Sequence, residues 1–179
     1  MTHRIHHTLT LKNIGQQGQF SGYASIFHHV DADRDTIAPH AFVDTLKAYQ
    51  EKGQWPKMLW QHDPQQPIGK WLNMHTDDKG LYVEGQLFLD LPKGKEAYTL
   101  LKEGVIDSLS IGFKPRVTKH GPKPHTRAIT ALDLYEISLV TFPANDQAKV
   151  TALKSADQAN QALLTSLERA IAIIERCCG

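Results

Sequence analysis

Apolar residues recur at every second position through much of this chain, and that alternation commits a segment to a pleated strand with two unlike faces. The pattern runs through residues 20–27, 57–62, 68–74, 81–89, 105–115 and 128–142, with a shorter version at 8–11. In 57–62 it places Met58, Trp60 and His62 on one face and Leu59 and Gln61 on the other, and Pro64 and Pro67 are read as its end. The run Asp77-Asp78-Lys79-Gly80 has the composition of a tight turn between two neighbouring strands.

Helical spacing appears in three places. Ala41, Phe42, Leu46 and Tyr49 follow Pro39 and precede Gly53. Ala97, Leu100 and Leu101 lie between Pro92 and Gly104, so both segments have a proline entry and a glycine exit. From about Ser155 the composition shifts to Ala, Gln, Leu, Ile and Glu. There Ala159, Ala162, Leu163, Ser166, Ala170, Ile171 and Ile174 form one amphipathic stripe. The expected fold is α+β, mainly β: an antiparallel sheet or barrel with a few helices packed outside it. Residues 1–154 are expected to form the domain, and 155–179 a helical tail.

Composition removes several function classes. A chain of 179 residues with 41% hydrophobic content can build one real core. Twenty basic against nineteen acidic residues leave no overall field to attract nucleic acid or an anionic membrane. Cys177 and Cys178 are adjacent at the C-terminus and can staple nothing, which suits a reducing compartment. No apolar run has signal-peptide or membrane-span length, so a soluble, cytoplasmic protein is expected. The ten histidines are scattered without metal-ligand spacing, and no metal or other cofactor is expected. Asp31-Ala32-Asp33-Arg34-Asp35 opens like a calcium loop, but Thr36 and Phe42 stand where such a loop needs glycine and glutamate. No glycine-rich phosphate loop follows a strand.

Three polar side chains sit within otherwise apolar strands. Around Ser110, alternation puts Ser108, Ser110 and Gly112 on one face and anchors it through Leu109, Ile111 and Phe113 on the other. Gly112 leaves room there for another backbone or a substrate strand. His62 ends an apolar run, and Glu136 interrupts Leu134-Tyr135-Glu136-Ile137-Ser138-Leu139-Val140. A carboxylate so placed costs several kcal/mol of desolvation unless it is paired, on the order of the penalties for buried charge. A nucleophile, a base and a carboxylate are the parts of a serine hydrolase. Each also has an ordinary reading: a serine bonded to backbone or solvent, a structural histidine, a glutamate paired with a basic residue at a barrel rim.

Gly22-Tyr23-Ala24-Ser25-Ile26-Phe27, Ala41-Phe42, Gln61-His62-Asp63 with Pro67-Ile68-Gly69, Ser108 to Phe113, and Glu136 to Val140 with Pro143-Ala144-Asn145 occur in this order. Together they resemble the HK97-type prohead proteases of tailed phages, over about residues 20–150. The resemblance implies a β-barrel ringed by helices, related to the herpesvirus assembly proteases, and a serine endopeptidase with Ser110 as nucleophile, His62 as general base and Glu136 as third member. It implies action inside the immature capsid, in the host cytoplasm, on the major capsid protein, its N-terminal delta domain or a scaffold, and on the protease itself. Homo-oligomers are a further possibility it raises. His40 departs from the glycine usual before the Ala-Phe pair. The basic loop 119–127 is a candidate contributor to an oxyanion hole. A non-catalytic assembly protein that keeps the fold is the alternative, and an esterase is a third reading, although no Gly-x-Ser-x-Gly elbow surrounds Ser110.

Overall fold

A computed structural model of the chain describes residues 17–153 and residue 165. The expected strand at 8–11 and the helical tail at 155–179 lie outside the described residues, apart from residue 165. Strands β1 (Gln19–Ile26), β3 (Lys57–Trp60), β4 (Asp63–Thr76), β5 (Gly80–Leu87), β6 (Ser108–His120) and β7 (Arg127–Val140) correspond to the alternating runs. Two short strands, β2 (Asp35–Ile37) and β8 (Val150–Leu153), were not evident from the pattern. The helices are α1 (Val43–Lys52), entered through a 3-10 turn at Pro39–Phe42, and α2 (Pro92–Lys102). Gly53 and Gly104 follow them with φ of 64° and 69°, the left-handed geometry that ends a helix at little cost for glycine.

Strand β7 is the spine of the sheet, whose order is β2-β7-β3-β4-β5-β1-β8, with β6 also on β7. β6 pairs with β7 from Ser108↔Val140 to His120↔Arg127, so β2 and β3 must share the other edge of β7. They take its two ends, β2 opposite 127–129 and β3 opposite 136–139, and both run parallel to it. Leu134 falls in the gap between them, where its backbone groups have no strand to meet. Helix α1 fills that gap: Leu134 N–H donates to Thr45 Oγ1 (3.1 Å), and Tyr49 Oη donates to the Leu134 carbonyl (2.8 Å). Side chains of one helix thus replace a missing ladder and satisfy buried backbone. At the β2 end the Arg127 guanidinium grips the buried Asp35 carboxylate through two 2.7 Å bonds.

The expected antiparallel barrel is corrected in two respects. The sheet is mixed, because the chain leaves β2, turns through α1 and re-enters along the same edge of β7 in the same direction. It is also not closed: between β8 and β6 there is only an isolated bridge at Ser108 and Lys149. The prolines do not end β3 either. They lie in β4, where 63–67 pairs irregularly with β3 alone and β5 joins only from Gly69. A proline is tolerated at such an unpaired edge.

Leu109, Ile137 and Leu139 are fully buried, together with Met58, Ile68 and Leu134. Register puts Leu109 opposite Leu139, and Ile111 and Met58 opposite Ile137, so the inner face of β3, β7 and β6 is one apolar layer. That layer fixes the outer face on which Ser110, Glu136 and Ser138 stand. Ile137→Ala is expected to lower the unfolding free energy by about 2–5 kcal/mol, the usual cost of such a core truncation. Tyr135→Thr, at an exposed position of the same strand, is expected to change it by less than about 0.5 kcal/mol. Chemical denaturation midpoints check both.

Candidate active site

His62 does not lie in a strand as the alternation predicts. β3 stops at Trp60, Trp60 pairs with Asp63, and Gln61 and His62 form a two-residue hairpin turn with φ of 53° and 61°. Left-handed geometry at both central positions is the type that matches strand twist, but it usually calls for Asn or Gly. Here the cost, about 1–2 kcal/mol for each residue, is offset by tethers. Gln61 N–H donates to the Leu139 carbonyl (3.0 Å), and the Gln61 amide exchanges two hydrogen bonds with Thr141 (2.8 and 3.1 Å). His62 N–H donates to Ser138 Oγ (3.1 Å). The turn is thereby pinned to the end of β7, and the imidazole is carried over Glu136.

His62 Nδ1 lies 2.6 Å from Glu136 Oε1. A carboxylate only accepts, so the ring donates from Nδ1 and its neutral form keeps Nε2 free as a base. The second carboxylate oxygen, Oε2, accepts from Ser138 Oγ at 2.7 Å. The glutamate side chain is only 13% exposed, against 43% for the histidine, so the pair is shielded on the carboxylate side and open on the imidazole side. The hydrogen bond that His62 donates to Glu136, reinforced by the carboxylate's charge, holds the His62 pKa above the ordinary 6.5 although partial burial pulls it down.

Gly112 serves a purpose different from that expected of it. It pairs with Glu136 across the ladder, and a Cβ there would collide with Glu136 Oε1. The glycine makes room for the carboxylate, not for another strand.

Ser110 pairs with Ser138, the next residue on the same face of β7, and is 6% exposed. It lines a cavity of about 400 Å³ together with His62, Ile111, Phe113 and the segment Phe142 to Asn145. Its hydroxyl has no hydrogen-bond partner among the described residues. Ser108, on the same face, is engaged: its Oγ donates to Asp107 (2.7 Å) and accepts from Lys149 Nζ (2.9 Å), while Lys149 also bonds Asp107 (2.7 Å). Those bonds clasp β6 to the start of β8.

The opposite wall of the cavity is the loop between β1 and β2. Asp31 Oδ1 accepts the Asp33 and Asp35 backbone N–H groups, shaping the turn that looked like a calcium loop. Ala32 N–H donates to the Ala144 carbonyl, and His29 pairs with Asp146 at 2.9 Å. Among the described residues, no three His, Cys, Asp or Glu side chains gather as metal ligands. The loop 119–127 is not part of the site. It is the tip of the β6–β7 ribbon, ten residues beyond Ser110, or about 33 Å at roughly 3.3 Å per residue.

Sequence reasoning named His62, Ser110 and Glu136 and missed Ser138, the Gln61–Thr141 tether and the role of Gly112. A serine two positions beyond a buried glutamate on the same strand face was the available signal.

The profile of the family described as caudovirus prohead serine protease matches residues 7–162. This chain belongs to that family. It is 37% identical over 145 residues to the prohead protease of Enterobacteria phage HK97, covering 80% of this chain and 63% of that protein. It is 31% identical over 170 residues to the capsid polyprotein of Pseudomonas phage PAJU2, covering 91% of this chain and 24% of that one. The chain therefore spans less than two thirds of the length of these relatives. Among solved structures, the bacteriophage T4 capsid assembly protease superposes with a TM-score of 0.55 at 11% identity, over 68% of this chain and 82% of that one, a likeness of fold.

In this prohead protease family member the His62–Glu136 pair gives a direct expectation. The His62 midpoint, followed by NMR titration, lies above 6.5 in the wild type. In Glu136→Gln the charge is lost and the amide oxygen is a weaker acceptor for the ring N–H, so the midpoint falls. Because the folded state favours protonated His62, the pair's contribution to stability is full below pH 6.5 and disappears as pH rises through the folded value.

Proposed function

We propose that this chain is a serine endopeptidase of prohead maturation, with Ser110 as nucleophile, His62 as general base and Glu136 as third member. The observation that carries the reading is the 2.6 Å His62–Glu136 contact, with His62 and Ser110 lining one cavity. Ser110 Oγ attacks a peptide carbonyl while its proton passes to His62 Nε2. That proton then goes to the leaving amine, and water hydrolyses the acyl-serine by the same route in reverse. Glu136 holds Nδ1–H throughout and stabilises the imidazolium. Ser110 and His62 line the same cavity, and a nucleophile–base hydrogen bond commonly forms fully only when substrate docks.

The substrates proposed are the phage major capsid protein or its delta domain, a scaffold, and the chain itself, with action inside the immature capsid. Similarity to a prohead protease and to a capsid polyprotein supports that setting. No helix among the described residues is long and apolar enough to cross a membrane.

The test is co-expression with the matching phage capsid protein. Processing is expected in the wild type and not in Ser110→Ala, because loss of a triad member costs about four to six orders of magnitude in rate. A processed capsid band persisting in Ser110→Ala excludes Ser110 as nucleophile. The rate is expected to fall as pH drops through the His62 pKa, and a flat profile from about pH 5 to 8 would exclude a histidine base.

A further inference from the structure

We propose that Ser138 is a positioning residue of this site, whose one hydroxyl fixes both the His62 turn and the plane of the Glu136 carboxylate. The proposal rests on the protease reading above and extends it to a residue that touches neither substrate nor the reacting atoms.

Ser138 is fully buried on β7, opposite Leu59 on β3 and Ser110 on β6. A hydroxyl has one proton to give and lone pairs to receive with. Here each has a single use. The His62 N–H can only donate, so Ser138 Oγ accepts from it at 3.1 Å. An ionised Glu136 can only accept, so the Ser138 proton points to Oε2 at 2.7 Å. The hydroxyl rotor is locked, and both carboxylate oxygens are committed, Oε1 to the imidazole and Oε2 to Ser138. A closed circuit results, from the His62 backbone through Ser138 and Glu136 back to the His62 ring.

Removing the hydroxyl breaks the circuit in two places. The glutamate's terminal torsion has a broad minimum, so its carboxylate would swing about the axis that Ser138 now holds. The left-handed turn would also lose one of its tethers to β7, the one belonging to His62 itself. Space-filling alone does not account for these contacts, because an alanine would fill nearly the same volume while supplying neither bond. The other titratable groups around the imidazole are the adjacent Asp63 and, across the cavity, His29, Asp31 and Asp33, and a change at 138 leaves all of them in place.

The experiment uses the full chain with ¹⁵N-labelled histidine, His62 being assigned by its loss in His62→Ala. Two quantities are measured in wild type and Ser138→Ala: the His62 titration midpoint, and the pH-dependent rate at which a fluorophosphonate forms its Ser110 adduct with loss of fluoride. In Ser138→Ala the midpoint is expected to fall toward 6.5, because pairing with Glu136 is what raises it. Labelling is expected to slow about 10–100-fold, the scale of a misplaced catalytic group. Should the alanine variant not fold, Ser138→Cys keeps the shape with a poor donor and is read in the same way. A folded variant with an unchanged midpoint overturns the proposal, whether its labelling is unchanged or uniformly reduced, since a purely structural role gives that result. Absence of wild-type labelling at Ser110 would instead overturn the protease reading, and the titration still decides on Ser138.

Discussion

The Glu136 carboxylate is the constraint around which the rest of the site is arranged. Placed on the central strand among apolar neighbours, it is tolerable only if both its oxygens are satisfied. The chain meets that demand with three local features: a histidine brought over it by a two-residue turn, a serine two residues along the same strand, and a glycine on the facing strand where any side chain would collide. None of the three does this alone, and each would look ordinary by itself.

The fold explains why those features meet. β7 has partners along both edges, with β6 antiparallel on one and β3 parallel on the other, so neighbouring strands deliver Ser110, Ser138 and the His62 turn to one row. The apolar layer beneath, including Leu109, Ile137 and Leu139, fixes the register, because a one-residue slip would turn the polar row inward. Helix α1 completes the arrangement by satisfying Leu134, where the β7 edge would otherwise be bare. A site assembled on packed strands is held more precisely than one built on loops.

Much of this was legible in the sequence. Alternation located six strands, the proline and glycine signals located both described helices, and the polar interruptions at 110 and 136 named residues that the structure places on one face of the paired strands β6 and β7. The rest depended on pairing that no local pattern reports. β2 and β8 are three and four residues long, too short for a period to register. Pro64 and Pro67 looked like a strand end because the missing partner along that edge is a tertiary fact. His62 was placed in a strand because the alternation continues one turn too far, and only the Trp60–Asp63 pairing shows where the chain reverses. Ser138 passed unnoticed because a serine in a strand is commonplace until its two partners are known. The chain's membership of the caudovirus prohead serine protease family agrees with the resemblance read from its motifs, while the contacts that hold His62 and Glu136 together lie in residues the motifs did not mark.

A crystal structure of the full chain with a peptidyl phosphonate bound is the most direct measurement. The account predicts a covalent bond from phosphorus to Ser110 Oγ, His62 Nε2 within hydrogen-bonding distance of that oxygen, and Glu136 still on Nδ1. An adduct on Ser108, or an imidazole turned out of reach of the modified serine, would contradict it.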